Sequence, residues 1–302
     1  MSAEKKFARA LRGTQVVFTF VAAVVVAIFL SLHLGELRTL FQSVEPGRIA
    51  AAGSVFAVVH ILIASAFHQL QISLGVRKTY FESIDSYLRR LPARYIPGGV
   101  WHSASRYVDI HAENSVAGRD ITRIFVVENG VVGATGLILA ATAAWAVLGS
   151  SPAYLAPIMM TVGIALCATL FAAKSLTRTT VLWPMAAAGT ALMSLEWIVA
   201  SVAFAIFASG LGPTSNCALP VLGSSYLIAA VTGFMALFAP QGWGITEAVF
   251  SFLQPCGSSA LVGVTAIAGF RLLAFIADVL LFSVWLVARK YVRGSGTSQK
   301  GP

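Results

Sequence analysis

The sequence predicts an all-α polytopic membrane protein, with about six transmembrane helices and two re-entrant helical hairpins in an inverted repeat. Three observations carry that expectation. The 302 residues are 57% hydrophobic, with a mean hydropathy of +0.81. Only 11% are charged, against about 25% in soluble domains. Two stretches rich in proline and glycine, 91–106 and 240–247, interrupt apolar runs near either end of the chain. No polar stretch is long enough for a soluble domain, so 1–302 reads as one integral membrane domain.

Lys5, Lys6, Arg9 and Arg12 precede the first apolar run, 16–32. No small-residue cleavage site follows before His33 and Glu36, so this run is expected as an uncleaved span rather than a signal peptide. The second span covers about 49–74 and contains His60 and His68. Both read as packed histidines, with proton relay the alternative role. The basic segment 77–94 leads into the first hairpin, about 81–111. Its arms, 81–91 and 100–110, are each too short to cross, since a span needs about 20 residues. Pro92, Pro97, Gly98 and Gly99 break the helix between them.

The third span, 121–148, carries Glu128, and its Gly130, Gly133 and Gly136 allow close helix approach. The fourth is 154–173. The fifth, 182–209, carries Glu196 and precedes an uncharged loop, 210–220. The second hairpin, about 221–254, comprises an apolar arm reaching Pro240, a glycine-rich break and a short helix at 245–253. The last span, 260–288, carries Arg271 and Asp278, and a polar tail follows.

Basic residues set the orientation. With a cytoplasmic N-terminus and two re-entrant hairpins, all 21 Lys and Arg except Arg38, Arg48 and Arg271 lie on the cytoplasmic side. A second hairpin that crossed fully would put Arg289, Lys290 and Arg293 outside. Both termini are therefore expected in the cytoplasm. The halves, about 1–149 and 150–302, each read span, span, hairpin, span. Three crossings per half invert the second half, a transporter architecture. Pro97 and Glu128 are separated by the same number of residues as Pro240 and Arg271. Cys217 and Cys256 fall on the outer face at the two ends of the second hairpin, where a disulfide and two free thiols are both open. Cys167 sits inside an apolar run as a small core residue.

Five ionisable groups lie in apolar spans or the second hairpin: Glu128, Glu196, Glu247, Arg271 and Asp278. Each costs about 2.5–3.5 kcal/mol at a helix centre on insertion scales, and such groups mark function unless they are ion pairs holding the bundle together. Arg271 and Asp278 share one helix face two turns apart. Irregular backbone at membrane depth is tolerated only where it is buried or lines a wet cavity, so the two breaks predict a cavity from each side. Helices restarting after Gly99 and Gly244 aim N–H groups into it, an arrangement suited to phosphate. Arg94, Arg106 and Arg271 add charge-assisted contacts; interfacial snorkelling is the other reading of Arg94 and Arg106. Trp101 and Trp243 follow the glycines and line the cavity or join an interfacial belt. With Pro97, Gly98, Pro240 and Gly242, these groups make up the expected substrate site.

Enzyme signatures are missing: there is no H-E-x-x-H, no G-x-S-x-G and no P-loop. His102, His111, Asp109 and Glu113 match no metal spacing, and no C-x-x-C pair occurs. No catalytic residue, metal or cofactor is expected. The net charge of +9 is placed by membrane topology, so nucleic acid is not an expected partner.

The run Tyr95-Ile-Pro-Gly-Gly-Val-Trp101 followed by Arg106 and Glu128, with Pro240-Gln-Gly-Trp-Gly-Ile-Thr-Glu247 and then Arg271, resembles the lysylphosphatidylglycerol synthase transmembrane (flippase-like) region family. The resemblance covers nearly the whole chain, as a stand-alone member without the soluble aminoacyl-transferase domain. It implies no enzyme activity, but movement of a phosphate-bearing lipid between leaflets of a prokaryotic cytoplasmic (inner) membrane. The implied cargo is an aminoacyl-phospholipid or a polyprenyl-phosphate-linked sugar, with proton coupling open. The alternative is a membrane-embedded accessory subunit or enzyme working with a glycosyltransferase or lipid-modifying partner. Paired hairpins favour alternating access over a one-sided active site. In the expected mechanism Arg106 and Arg271 neutralise the phosphate. Glu128 and Glu247 hold those arginines when the site is empty, and one or both take up a proton as the headgroup arrives.

Overall fold

The structure is a computed structural model that describes residues 44–95, 118–148, 182–236 and 239–296, with single positions or short pieces at 31, 35, 157 and 160–164. The described residues are helical, with no strand among them. The helices are α1 (Pro46–Ser73), α2 (Tyr80–Leu88), α3 (Gly118–Leu148), α4 (Trp183–Ser209), α5 (Leu219–Met235), α6 (Ile245–Leu253) and α7 (Ala260–Gly296). A 3-10 turn, Leu91–Tyr95, follows α2, and another, Pro240–Gly242, separates α5 from α6. Within α1, α3, α4 and α7, four segments are long and apolar enough to cross a membrane: Pro46–Ser73, Arg123–Trp145, Trp183–Ser209 and Ala260–Arg289. Most of the expected first and fourth spans, and the whole second arm of the first hairpin, lie outside the described residues.

Local chemistry accounts for several boundaries. Pro46, Pro184 and Pro220 each stand in the first turn of a helix, where a missing N–H removes no bond. Thr79 starts α2 with a capping box: its hydroxyl accepts from the Glu82 N–H at 3.3 Å, and the Glu82 carboxylate accepts from the Thr79 N–H at 2.7 Å. The Thr79 backbone bond, the largest influence, holds the Glu82 carboxyl below its ordinary range.

Three expected boundaries move. The arm expected over 81–91 is an α-helix only to Leu88 and then a 3-10 turn, because Pro92 cannot continue it. The arm expected to reach 239 ends at Met235, where Ala236 leaves helical geometry (φ −78°, ψ 74°). The polar tail expected after 288 continues α7 to Gly296.

α1 and α4 lie antiparallel along their whole length. The Glu45 N–H donates to the Gly210 carbonyl at one end (3.0 Å), and the Leu182 N–H to the Ser73 carbonyl at the other (3.2 Å). Without a hydrophobic drive between helices in lipid, close packing has to supply association. Gly136 of α3 answers the expected close approach. A Cβ there would lie 3.0 Å from both Trp197 of α4 and Val231 of α5. The core gathers around Phe204, which stacks on Tyr226 at 4.3 Å and meets Phe250 and Phe270 edge-on at 5.1 and 5.3 Å.

α5 and α6 form a packed helix pair. Cys217, before α5, is disulfide-bonded to Cys256, after α6, which resolves the two options the sequence left open. Gly233 on α5 meets Gly242 in the break with backbone against backbone. At the opposite end from this disulfide, Asp85 of α2 takes the C-terminal part of α7. It accepts from Trp285 Nε1 at 2.9 Å and lies 2.9 Å from Arg289 Nε.

Candidate functional site

One face of α7 organises the polar contacts. Arg271, Asp278 and Trp285 recur at seven-residue spacing, two helical turns or about 10 Å apart. Each meets a different element: Glu247 of α6, Arg94 of the 3-10 turn, and Asp85 of α2. The other side of α7 exposes Leu272, Ile276, Leu280 and Val284, a stripe suited to hydrocarbon.

Arg271 sits at the break between α5 and α6. Its Nε lies 2.8 Å from Glu247 Oε1, its Nη1 donates to the Gln241 carbonyl at 3.0 Å, and its guanidinium rests 5.5 Å from the Trp243 ring centroid. The second carboxylate oxygen of Glu247 accepts from the Gly244 N–H at 2.8 Å. Glu247 therefore does two jobs: it neutralises Arg271 and caps its own helix, where the macrodipole favours an anion. This corrects one expectation. The Gly244 N–H does not point free into a cavity but is already held by Glu247. Trp243 lines the arginine site.

The break itself is built on left-handed backbone. Gln241, Gly242 and Gly244 have φ of +52°, +68° and +81°. Glycine takes that conformation without strain, and glutamine does not. Gln241 holds its place by two bonds: its side-chain amide donates to the Arg94 carbonyl, and its own carbonyl accepts from Arg271. It thus links the turn after α2 to the tip of the α5–α6 pair.

Arg94 reaches the inner face of α7. Its Nη1 donates to Asp278 Oδ2 at 3.3 Å, and Asp278 is only 2% exposed. The other oxygen, Oδ1, is 2.7 Å from His60 Nε2. His60 Nδ1 in turn faces the Tyr87 hydroxyl at 3.2 Å. His60 is thus more than a packed histidine: it joins the charged cluster from α1. His68 fits the packed reading, buried with Nδ1 2.9 Å from the Ser83 hydroxyl. Glu128, fully buried, accepts from Gln71 Nε2 at 2.7 Å.

The structure brings together Arg94, Gly242, Trp243, Gly244, Glu247, Arg271 and Asp278, with Pro240 opening the break. Pro97, Gly98, Gly99, Trp101 and Arg106 lie outside the described residues. Sequence reasoning missed Gln241 and assigned His60 a lesser role. The position of Gln241 between Pro240 and Gly242 was the available signal. Among the described residues no group of three His, Cys, Asp or Glu side chains could hold a metal ion.

The described chain is thus a helical protein built around four helices long and apolar enough to span a membrane. Paired charges lie on the inner face of one of them. Comparison with protein-family models and with curated proteins finds no match.

Proposed function

We propose that this protein moves a phosphate-bearing lipid between the two leaflets of a membrane. The observation that carries the reading is the pair of arginines, Arg94 and Arg271. Arg94 stands in the 3-10 turn after α2, Arg271 on α7 packs against the break between α5 and α6, and the two are linked through Gln241. Each is held by a carboxylate on or against α7. A guanidinium binds carboxylate and phosphate with the same forked geometry. A phosphate headgroup can therefore displace Asp278 or Glu247 without ever leaving a bare cation in hydrocarbon. That exchange makes the empty site stable and the loaded site reachable.

In this reading α5 and α6 are a re-entrant hairpin whose ends are tied by Cys217–Cys256 and whose tip lies at the depth of Arg271. The 3-10 turn bearing Arg94 begins the break of the other hairpin, about 81–111, which enters from the other side. With the expected first and fourth spans, the chain has six crossings in two inverted halves, both termini cytoplasmic. The tails of the lipid stay in the bilayer, and alternating access works around the arginine pair.

The test is reconstitution in liposomes with leaflet-resolved assay of phospholipids and polyprenyl-phosphate lipids in parallel. Wild-type protein accelerates exchange of at least one class, and Arg271→Gln abolishes it at matched folding. Exchange of no phosphate-bearing lipid, with the protein binding a glycosyltransferase instead, replaces this reading by the accessory-subunit one.

A further inference from the structure

Glu196 stands apart from every other acid buried in the described helices. It lies in the middle of α4 with 9% of its surface exposed. Asp278 has Arg94 and His60, Glu247 has Arg271 and the Gly244 N–H, and Glu128 has Gln71. Among the described residues Glu196 makes no hydrogen bond and no ion pair. The cation that acts on it is Arg94, through space, while Arg94 itself is bonded to Asp278.

The helix register places Glu196 at the depth of this cluster. The end contacts of α1 and α4, together with Gly189 against Ala66, put Glu196 level with Val59 and His60. It is therefore at the depth of the Asp278–His60 contact. An isolated carboxylate at such a place costs far more than a neutral acid, and a group so placed gives up its charge instead.

We propose that Glu196 is a proton-binding site, protonated while Arg94 is bound to Asp278 and ionised when Arg94 turns to it. In the exchange the O–H bond of Glu196 breaks and its proton passes to water. Arg94 then neutralises the new carboxylate, and Asp278 keeps His60 at its other oxygen. Titratable and charged groups face this region from each neighbouring element. They are His60 on α1, Tyr226 on α5, Glu247 on α6, Asp278 and Arg271 on α7, and Arg94 on the 3-10 turn. Of these, Arg94 is the cation placed to exchange between two carboxylates. The proton site itself needs no lipid. Its coupling to transport rests on the reading above, because a headgroup phosphate that captures Arg94 would keep Glu196 protonated.

Infrared spectroscopy of the protein in nanodiscs, without added lipid substrate, tests the site. Wild type is expected to show a protonated carboxyl band at neutral pH that Glu196→Gln removes and Glu196→Asp retains at a shifted frequency. In Arg94→Gln the band should persist to higher pH by about one unit or more, since the carboxylate has lost its counter-ion. A band unchanged in Glu196→Gln, or no such band in folded wild type, overturns the proposal. In liposomes, lipid exchange by Glu196→Gln should no longer vary with an imposed pH gradient. A retained pH response overturns the coupling, whereas absence of lipid exchange in wild type defeats the transport reading and leaves the infrared result to decide the site.

Discussion

Gly233 and Gly242 touch backbone to backbone: a Cβ added at Gly242 would lie 2.7 Å from the Gly233 Cα. That contact brings the break between α5 and α6 back onto α5. It also lets Thr246 donate to the Gly242 carbonyl at 3.1 Å. Gly242→Ala meets two penalties, a left-handed φ of +68° and the clash itself. The first costs about 1–2 kcal/mol and overpacking adds about 1–3. Thermal unfolding in nanodiscs should register the loss. Gly257→Ala, also left-handed but with open space around it, should show only the smaller part.

The Glu247–Arg271 contact at 2.8 Å should behave as a coupled pair. Glu247→Gln removes both the counter-ion and part of the cap at Gly244. Breaking a buried pair from one side costs about 3–5 kcal/mol, because the remaining charge is uncompensated; with Arg271 partly exposed the lower end is expected. The double variant Glu247→Gln/Arg271→Gln should be less destabilised than the two single variants added together. Chemical denaturation of all four proteins measures the coupling, and additive losses would show that the two side chains act independently.

The Cys217–Cys256 bond closes a sequence separation of 39 residues. On a chain-entropy basis it stabilises by about 4 kcal/mol. Cys217→Ser/Cys256→Ser should lower the unfolding midpoint without preventing assembly of the α1–α4 pair. On intact cells, an impermeant thiol reagent should label both cysteines after mild reduction and neither before. Labelling that requires permeabilisation would reverse the orientation.

The start of α2 should be sensitive to acid. The Glu82 carboxyl is held below its ordinary range chiefly by the Thr79 N–H. A depressed carboxyl stabilises the folded state above its unfolded pKa, and that contribution is lost as pH falls through the folded value. Amide exchange in α2 should therefore accelerate below the ordinary carboxylate range. Glu82→Gln should remove the dependence, and Thr79→Ala should cost about 1 kcal/mol at every pH.

The sequence by itself determined the helices and where they break. Apolar length marked Pro46–Ser73 and Trp183–Ser209 to within a few residues, because one helix in lipid must satisfy its own backbone and needs about 20 apolar residues to do so. Proline and glycine marked the break before α6, because backbone geometry is local. Seven-residue spacing put Arg271 and Asp278 on one face. What lies opposite that face was decided by the tertiary structure alone. Nothing in the hydropathy of α1 says that His60 will stand 2.7 Å from Asp278. Nor does any local pattern join Gln241 to Arg94, or Asp85 to Trp285, across 147 and 200 residues of chain. Partners at that range depend on which helices pack side by side and in what register, and those are fixed by small-residue contacts and side-chain shape that no single segment encodes. Glu196 is the clearest case. Its charge was visible from the start, but its lack of a partner among the described residues is a property of the assembled bundle.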